Sequence, residues 1–192
     1  VRSTVPVGFC SDWGVNFMPE FLTEKNWQQD VRNCKNWVVG LNDSKDQQCK
    51  DKIKRMLINA KRENKIKHVA ISYCSTSEAE LTKNVINSFL ATKVSFFNEI
   101  EDFCRRKAIN YENVRHLVAQ DKRIGHSHTY VPGPDGKRGF GGTCFPKDVS
   151  SLITQMIDCG LMSYVLIAAR NRNIDIDRPE KDWSQDKGRA VI

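Results

Sequence analysis

The sequence lacks long apolar runs, paired cysteines and compositional bias. No stretch approaches the roughly 18 uncharged residues that a membrane helix requires, so we expect no membrane partner. With 6 Pro and 11 Gly in 192 residues, collagen-like and low-complexity chains are excluded. Seven cysteines without a C-x-x-C pair argue against a disulfide framework or a zinc finger, so we expect reduced thiols and a cytoplasmic location. Neither Met nor a leader peptide precedes Val1, and we expect the chain to begin partway through a longer sequence.

The net charge of +7 is concentrated in residues 50–67, where eight basic residues accompany two acidic ones. The apolar residues of this stretch follow helical spacing and predict an amphipathic helix with a basic outer face: Ile53, Met56, Leu57 and Ala60. Such a face is either simply solvated or a contact for an anionic surface. Because it lacks the interleaved aromatic residues that stack on bases, we expect no nucleic-acid partner.

Strand and helix patterns divide the chain near residue 77. Before it, short apolar runs predict strands at 1–7, 15–17, 38–41 and 68–74, with a helix at 45–62. After it, helices are predicted at 78–107, 111–120, 146–159 and 162–173, followed by an extended polar tail. Ser77 and Glu80 have the spacing of a capping box for the long helix. The predicted fold class is α/β followed by all-α.

The long predicted helix carries two apolar stripes. One stripe comprises Val85, Phe89, Phe96, Ile100 and Phe103, and the other comprises Ile86, Leu90, Val94 and Phe97. A helix that is apolar on two sides must be covered on both. We therefore expect it at the centre of a helical domain and in the interface of a homodimer.

A glycine-rich loop precedes the most promising cysteine. Five glycines lie between residues 133 and 142, and Lys137 and Arg138 among them favour an anion. Cys144 lies beside the N-terminus of the next predicted helix, which stabilises a thiolate and makes it the best nucleophile candidate. The alternative is a simple turn. His126 and His128 flank one serine without nearby carboxylates or thiols, so we expect no metal site.

Three polar pairs with a spacing of four residues accompany this cysteine. They are Cys144 with Asp148, Lys83 with Asn87, and Glu20 with Glu24. Residues four apart share a helix face, so Asp148 could orient a water or a base beside the thiol. One such pair usually lies on a solvated helix face. Three pairs together with a cysteine at a helix N-terminus need a common explanation.

Six motifs occur in a fixed order. They are Ser3-Thr-Val-Pro-Val-Gly8, Pro19-Glu-Phe-Leu-Thr-Glu24, Glu80-Leu-Thr-Lys-Asn-Val-Ile-Asn87, Phe97-Asn-Glu99, Arg123-Ile-Gly125 and Gly141-Gly-Thr-Cys-Phe-Pro-Lys-Asp148. In this order they resemble the UDP-glucose/GDP-mannose dehydrogenase family, over residues 1 to about 173. The resemblance implies the end of a Rossmann-like NAD-binding domain at 1–76, a helical dimerisation domain with one long central helix at 77–175, and a linker or tail at 176–192.

The resemblance also implies an activity, the oxidation of a sugar-nucleotide 6-hydroxyl by NAD in two steps through a cysteine thioester. Cys144 would be the nucleophile, and Lys83 and Asn87 would stabilise oxyanions. Thr4, Glu24 and Asp148 would position water and move protons. The expected substrate contacts are Glu20, Phe21, Leu22, Arg123, Phe140, Gly141 and Gly142, with Arg123 reaching the substrate of a neighbouring subunit. The expected cofactor contacts are Thr4, Glu24 and Lys147.

Two departures from the family pattern bear on this expectation. Met18 stands where the family has Asn before Pro-Glu-Phe, and the sequence contains no G-x-G-x-x-G turn for a cofactor pyrophosphate. The family's second nucleotide-binding domain, expected from about Arg178, is also not matched. We therefore expect the 192 residues alone to turn over slowly or not at all.

The identity of the substrate depends on the residues around Cys144. The Thr-Cys-Phe-Pro-Lys-Asp run favours UDP-glucose, oxidised to UDP-glucuronate. The alternatives are a GDP-mannose 6-dehydrogenase, a truncated and inactive family member, and a noncatalytic dimerisation module.

Overall fold

The computed structural model describes residues 4–23 and 26–184. The helices and strands follow one another as α1 (Phe9–Asp12), α2 (Trp27–Asn33), β1 (Asn36–Leu41), α3 (Gln47–Arg62), β2 (Ala70–Ser75), α4 (Thr76–Arg106), α5 (Tyr111–Ala119), α6 (Phe145–Asp158) and α7 (Tyr164–Arg172). The backbone forms two compact units, and the division between them falls inside α4, after Asn84. The domain boundary expected after residue 76 stays a prediction.

The first unit contains a small parallel sheet. Strands β1 and β2 pair from Asn36 opposite Ala70 to Leu41 opposite Ser75, and α3 forms the connection between them. This β-α-β arrangement confirms the α/β character expected for this part of the chain. The basic residues of α3 follow the amphipathic pattern, with Leu57 buried against the unit.

Two predicted strands are wrong in the described residues. Residues 4–6 have no regular structure, residues 1–3 lie outside the described part, and Phe17 forms only an isolated antiparallel bridge to Gly40. Over residues 4–6, the Val5 carbonyl accepts a hydrogen bond from the Asn84 side chain of α4 at 3.3 Å instead of pairing with a strand. Glu80, which is fully buried, accepts the N–H groups of Gly8 and Cys10 at 2.6 and 2.7 Å.

Strand β1 packs directly on the first turns of α4. A Cβ atom on Gly40 would lie 2.8 Å from the Cβ atom of Ala79 and 2.8 Å from the Cα atom of Thr76. Only glycine permits this approach. The buried core beside it consists of Cys10, Phe17 and Ala79, with Val5, Val38 and Cys74 around it.

The second unit is helical and has two buried clusters. Ala91, Phe140, Val149 and Ile153 form one cluster, and Phe97, Cys104 and Tyr111 form the other. The stripe of α4 that contains Val94 and Phe97 packs into these clusters. None of the helices in the described ranges is long and apolar enough to cross a membrane.

The tail differs from the extended chain that we expect from sequence. Residues Asn173–Asp177 form a π-helical turn and Asp182–Ser184 form a 3₁₀ turn. The reason is that buried side chains of this segment, including Asn173 and Arg178, bind the glycine-rich loop. Residues 185–192 lie outside the described part.

The N-terminus of α4 is capped two residues earlier than predicted. Ser75 donates its backbone N–H to the Glu78 carboxylate at 2.7 Å, and the Glu78 N–H donates to the Ser75 hydroxyl at 3.3 Å. This is the reciprocal pattern of a capping box. The cap forms at Ser75 because β2 ends there and the helix begins directly after it.

Replacing the cap tests this assignment. We expect Ser75→Ala to lower the free energy of unfolding by about 1 kcal/mol, because the first turn of α4 loses its side-chain acceptor. Ser77→Ala is the matched control and should be neutral or slightly stabilising, since alanine favours a helix interior. Urea denaturation of both variants measures the difference. A larger loss for Ser77→Ala than for Ser75→Ala would contradict the cap.

Candidate functional site

Cys144 lies at the N-terminal end of α6. It is the N-cap residue, its side chain is exposed, and Pro146 follows in the first helical turn, where its missing N–H costs no hydrogen bond. The hydroxyl of Thr143 is 3.9 Å from the Cys144 sulfur. The thiol therefore stands at the end of the helix dipole that favours negative charge, as expected from the sequence.

A buried carboxylate lies one turn after the thiol. Asp148 has no exposed surface, and its backbone N–H donates to the Cys144 carbonyl at 2.9 Å. Its Oδ2 accepts a 2.5 Å hydrogen bond from the side chain of Asn87, and its Oδ1 pairs with the ammonium of Lys147. Three residues expected at the site are thus joined to one another. Lys147 is tied to Asp148, and its expected contact with a cofactor stays a prediction.

The two basic residues of the glycine-rich loop pair with carboxylates of the same unit. Arg138 binds Glu101 and lies 2.9 Å from Asp102 on α4, and Lys137 lies 2.6 Å from Asp182. These carboxylates compensate the two charges within the unit, and the expected contact of the loop with an anion stays a prediction.

Phe140 contributes its ring to the core. It is 4% exposed and lies in an edge-on arrangement 6.5 Å from the ring of Phe145. Gly141 and Gly142 then lead to Cys144 with partly exposed main chain. Of the expected substrate contacts in this loop, the two glycines are the accessible ones.

An open cavity of about 370 Å³ adjoins the same turn of the chain. Its lining consists of Gly142, Thr143, Pro146, Lys147, Ser150 and Trp183. Sequence reasoning did not identify Ser150 or Trp183. Ser150 follows Lys147 by three residues and could be found from helical spacing, whereas no local pattern points to Trp183.

In the first unit, Lys83 holds the segment that carries Glu20. Lys83 is 7% exposed, its ammonium donates to the Glu20 carbonyl, and it lies 5.6 Å from the centre of the Phe21 ring. Leu22 lines a small cavity of about 90 Å³ in the same segment. Thr4 is partly buried near the start of this unit, and Glu24 lies outside the described residues. The roles of Thr4 and Glu24 stay predictions.

Arg123 is exposed and pairs with a residue of its own turn. Its guanidinium lies 2.6 Å from the Asp121 carboxylate and holds the pKa of that carboxyl below its usual range. Its expected contact with a neighbouring subunit stays a prediction.

His126 and His128 contact different aromatic rings. The ring of His128 packs 5.6 Å from Phe145, and burial lowers the pKa of His128. His126 lies 6.2 Å from the ring of His116 instead. Among residues 4–23 and 26–184, no group of three or more His, Cys, Asp or Glu side chains could hold a metal ion.

Comparison with known proteins places this site in a family. Residues 77–175 match the model of the UDP-glucose/GDP-mannose dehydrogenase family, central domain. The chain belongs to this family. The matched residues run from the start of α4 to the turn after α7 and include Cys144, Asp148, Asn87 and Lys83. The resemblance of the six motifs is thereby confirmed at the level of the family.

Relatives extend the similarity beyond the central domain. UDP-glucose 6-dehydrogenase of Rickettsia prowazekii is 33% identical over 181 residues, which cover 86% of this chain and 39% of that protein. The structure of a UDP-glucose dehydrogenase from Pyrobaculum islandicum matches with a TM-score of 0.71 and 29% identity over 90% of this chain and 40% of that one. GDP-mannose dehydrogenase from Pseudomonas aeruginosa matches with a TM-score of 0.54 and 27% identity, again over 90% of this chain and 41% of that one. The chain spans about two fifths of the length of these relatives.

Removing the buried carboxylate tests the site. We expect Asp148→Ala to lower the free energy of unfolding by about 1–3 kcal/mol, because the buried Asn87 amide loses its acceptor. Asp158→Ala, an exposed acid at the other end of α6, is the control and should change it by less than about 0.5 kcal/mol. Urea denaturation monitored by circular dichroism compares them. Equal effects of the two variants would show that the Asn87 contact is not formed.

Proposed function

We propose that this chain carries the catalytic centre of an NAD-dependent UDP-glucose 6-dehydrogenase. The observation that carries the proposal is the position of Cys144, an exposed thiol at the positive end of α6, one turn before the buried Asp148. An exposed cysteine at a helix N-terminus suits a nucleophile because the thiolate is the reactive form. Membership of the family supplies the class of reaction.

The thiol has one covalent role in this reaction. The sulfur of Cys144 adds to the aldehyde carbon at sugar C6 after the first oxidation and forms a thiohemiacetal. Loss of the second hydride from C6 and of the hydroxyl proton converts this adduct into a thioester. Attack of water on the thioester breaks the C–S bond, releases the carboxylate and returns the thiol. Covalent capture keeps the reactive aldehyde bound between the two oxidations.

Polar residues that the family resemblance assigns to the site stabilise the charges of these steps. Lys83 and Asn87 stabilise the oxyanion that develops at C6. Asp148 transfers protons or positions water. Its burial and its contacts with Asn87 and Lys147 support this role. Thr4 and Glu24 assist in positioning water.

NAD⁺ supplies the acceptor for both hydrides. The parallel pair of β1 and β2 fits the edge of a nucleotide-binding sheet. The described residues contain no glycine-rich turn between a strand and a helix that fits a pyrophosphate. We therefore assign no residue of the described ranges to the cofactor phosphates.

UDP-glucose is the preferred substrate. The relative from Rickettsia prowazekii is named for this substrate and covers most of the chain. GDP-mannose is the alternative, because a GDP-mannose dehydrogenase shares the fold at 27% identity. A noncatalytic dimerisation module is the remaining alternative, and it predicts that Cys144 behaves as an ordinary exposed thiol.

The second part of the proposal is a homodimer formed through α4. Several large apolar side chains on the part of α4 in the second unit are exposed, which matches one predicted stripe: Val85 at 48%, Phe89 at 65%, Phe96 at 56% and Phe103 at 55%. Phe89, Phe96 and Phe103 are spaced by seven residues, and such spacing forms a straight seam against a second helix. A second copy of the chain presents the same seam, so a two-fold contact covers both stripes at once.

Thiol labelling tests the nucleophile. Cys144 and Cys159 are exposed and lie at opposite ends of α6, so Cys159 serves as an internal control. We expect iodoacetamide to alkylate Cys144 about tenfold faster, since the helix dipole favours a thiolate at one end and opposes it at the other. Peptide mass spectrometry over time measures both rates in the 192-residue chain.

The same labelling identifies the substrate. UDP-glucose should slow the alkylation of Cys144 and leave Cys159 unchanged, and UDP should protect less because it lacks the sugar. Stronger protection by GDP-mannose would assign the alternative substrate. Equal labelling of Cys144 and Cys159 without protection by either sugar nucleotide would contradict the catalytic proposal and favour the noncatalytic module.

Light scattering tests the dimer. We expect the chain to elute with twice its monomer mass and Phe96→Glu to elute as a monomer, because burying an unpaired carboxylate in the interface costs several kcal/mol. Tyr164→Glu, an aromatic residue 78% exposed on α7, is the matched control and should remain a dimer. A dimeric Phe96→Glu variant would show that α4 does not form the interface.

A further inference from the structure

The glycine-rich loop, residues 133–142, is bound to the turn that follows α7. Asn173 is 1% exposed, and its side-chain amide makes two hydrogen bonds to one residue of the loop. Its Oδ1 accepts the Phe140 N–H at 2.7 Å, and its Nδ2 donates to the Phe140 carbonyl at 2.9 Å. The amide thus satisfies both main-chain groups of Phe140, as a neighbouring strand does in a sheet.

Glycines on both sides of Phe140 permit this approach. A Cβ atom on Gly139, which has a φ of +66°, would lie 2.3 Å from the Asn173 Oδ1. A Cβ atom on Gly141 would lie 2.4 Å from the Arg178 Cζ. Both glycines are therefore required by close contacts within the protein, independently of any ligand.

Arg178 forms a second contact with the loop. It is 4% exposed, its guanidinium binds Asp182 through Nε and Nη2, both at 2.7 Å, and its Nη1 lies 2.7 Å from Asp135 in the loop. The bidentate geometry fixes the plane of the guanidinium against Gly141. Arg178 lies three residues beyond the end of the matched central domain.

A carboxylate of α4 binds both the glycine-rich loop and the end of α7. Asp102 on α4 accepts hydrogen bonds from Arg138 of the loop at 2.9 Å and from Arg172 at the end of α7 at 2.5 Å. Arg172 also lies 3.0 Å from the buried carboxylate of Asp177. Arg172, which precedes Asn173, and Arg138, which lies two residues before Phe140, therefore bind the same carboxylate of Asp102.

We propose that Asn173 is a positioning residue for Cys144, which it orients through Phe140, and that Arg178 assists it by covering Gly141. Cys144 follows Phe140 by four residues, and the ring of Phe140 packs against Phe145 next to the thiol. A fixed Phe140 therefore restricts where the chain can enter α6. Correct placement of a nucleophile matters because small displacements reduce rates strongly.

This inference deepens the proposed function and rests on it only where Cys144 is treated as the nucleophile. The binding of the loop main chain by Asn173 does not depend on the role of Cys144. Two measurements separate them. Hydrogen exchange reports on the loop, and alkylation reports on the thiol.

The principal experiment compares Asn173→Ala with Asn171→Ala in the 192-residue chain. Asn171 is exposed and lies two residues earlier, so it is a matched control. We expect exchange at the Phe140 amide to accelerate about tenfold in Asn173→Ala, because a net hydrogen bond of ordinary strength is lost. The ratio of Cys144 to Cys159 alkylation should fall several-fold while the Cys159 rate stays unchanged. A general loss of stability of the second unit would instead increase the labelling of its buried thiol Cys104 as well.

A second variant keeps the test decisive if Asn173→Ala does not fold. Arg178→Lys keeps the charge and loses the bidentate fork, so exchange at Gly141 and Gly142 and the thiol ratio should change in the same direction by smaller factors. Unchanged exchange at residues 139–142 in the folded variants would overturn the positioning role. Faster loop exchange with an unchanged thiol ratio would also overturn it. If the unaltered chain shows no preference for Cys144, the proposed function fails, and the exchange data alone still decide whether Asn173 binds the loop.

Discussion

Hydrogen bonds from buried polar side chains to irregular main chain hold each unit in its shape. In the first unit, Glu80 accepts the N–H groups of Gly8 and Cys10, and Lys83 donates to the carbonyl of Glu20. In the second unit, Asn173 pairs with both main-chain groups of Phe140. A buried main-chain group without a partner costs about 1–3 kcal/mol, so these segments cannot be buried without those side chains. Glu20 and Phe140, which the sequence places at the site, lie in such segments.

Helix α4 supplies many of these side chains, and this explains its unusual composition. Its 31 residues extend about 46 Å at 1.5 Å per residue. Its buried residues include Glu80, Lys83, Asn87 and Asn98, where a core helix ordinarily has apolar ones. Each of them binds a partner from elsewhere in its own unit or in α4 itself. The helix thus acts as a source of hydrogen bonds as well as a hydrophobic support.

Several charged side chains of the second unit form ion pairs with one another. Burial raises the pKa of Asp177 against the opposing influence of Arg172 and Arg138. The guanidinium of Arg178 holds the pKa of Asp182 well below its usual range, although burial acts in the opposite direction. The charges of Lys137 and Arg138 are part of this arrangement.

Local patterns predicted the longer regular elements with small errors, because helical and strand periodicity depends on neighbouring residues. The short helices α1 and α2 were not predicted. Helix α3, helix α4 and the strand pair β1 and β2 agree with the expected ranges within about three residues. The strand expected at 1–7 is absent over residues 4–6, where the Val5 carbonyl binds the Asn84 side chain of α4 instead, and the cap at Ser75 depends on where β2 ends. Neither cause is visible in the composition of those segments.

The sequence by itself determined the family, through ordered motifs, and the position of Cys144 at the start of a helix. Tertiary structure decided which stripe of α4 is covered, that Asn87 meets Asp148 across 61 residues, and that Asn173 holds the loop before Cys144. The physical reason is the range of the interactions. Periodicity and capping act within one or two turns, whereas contacts between distant residues form only when packing brings their elements together.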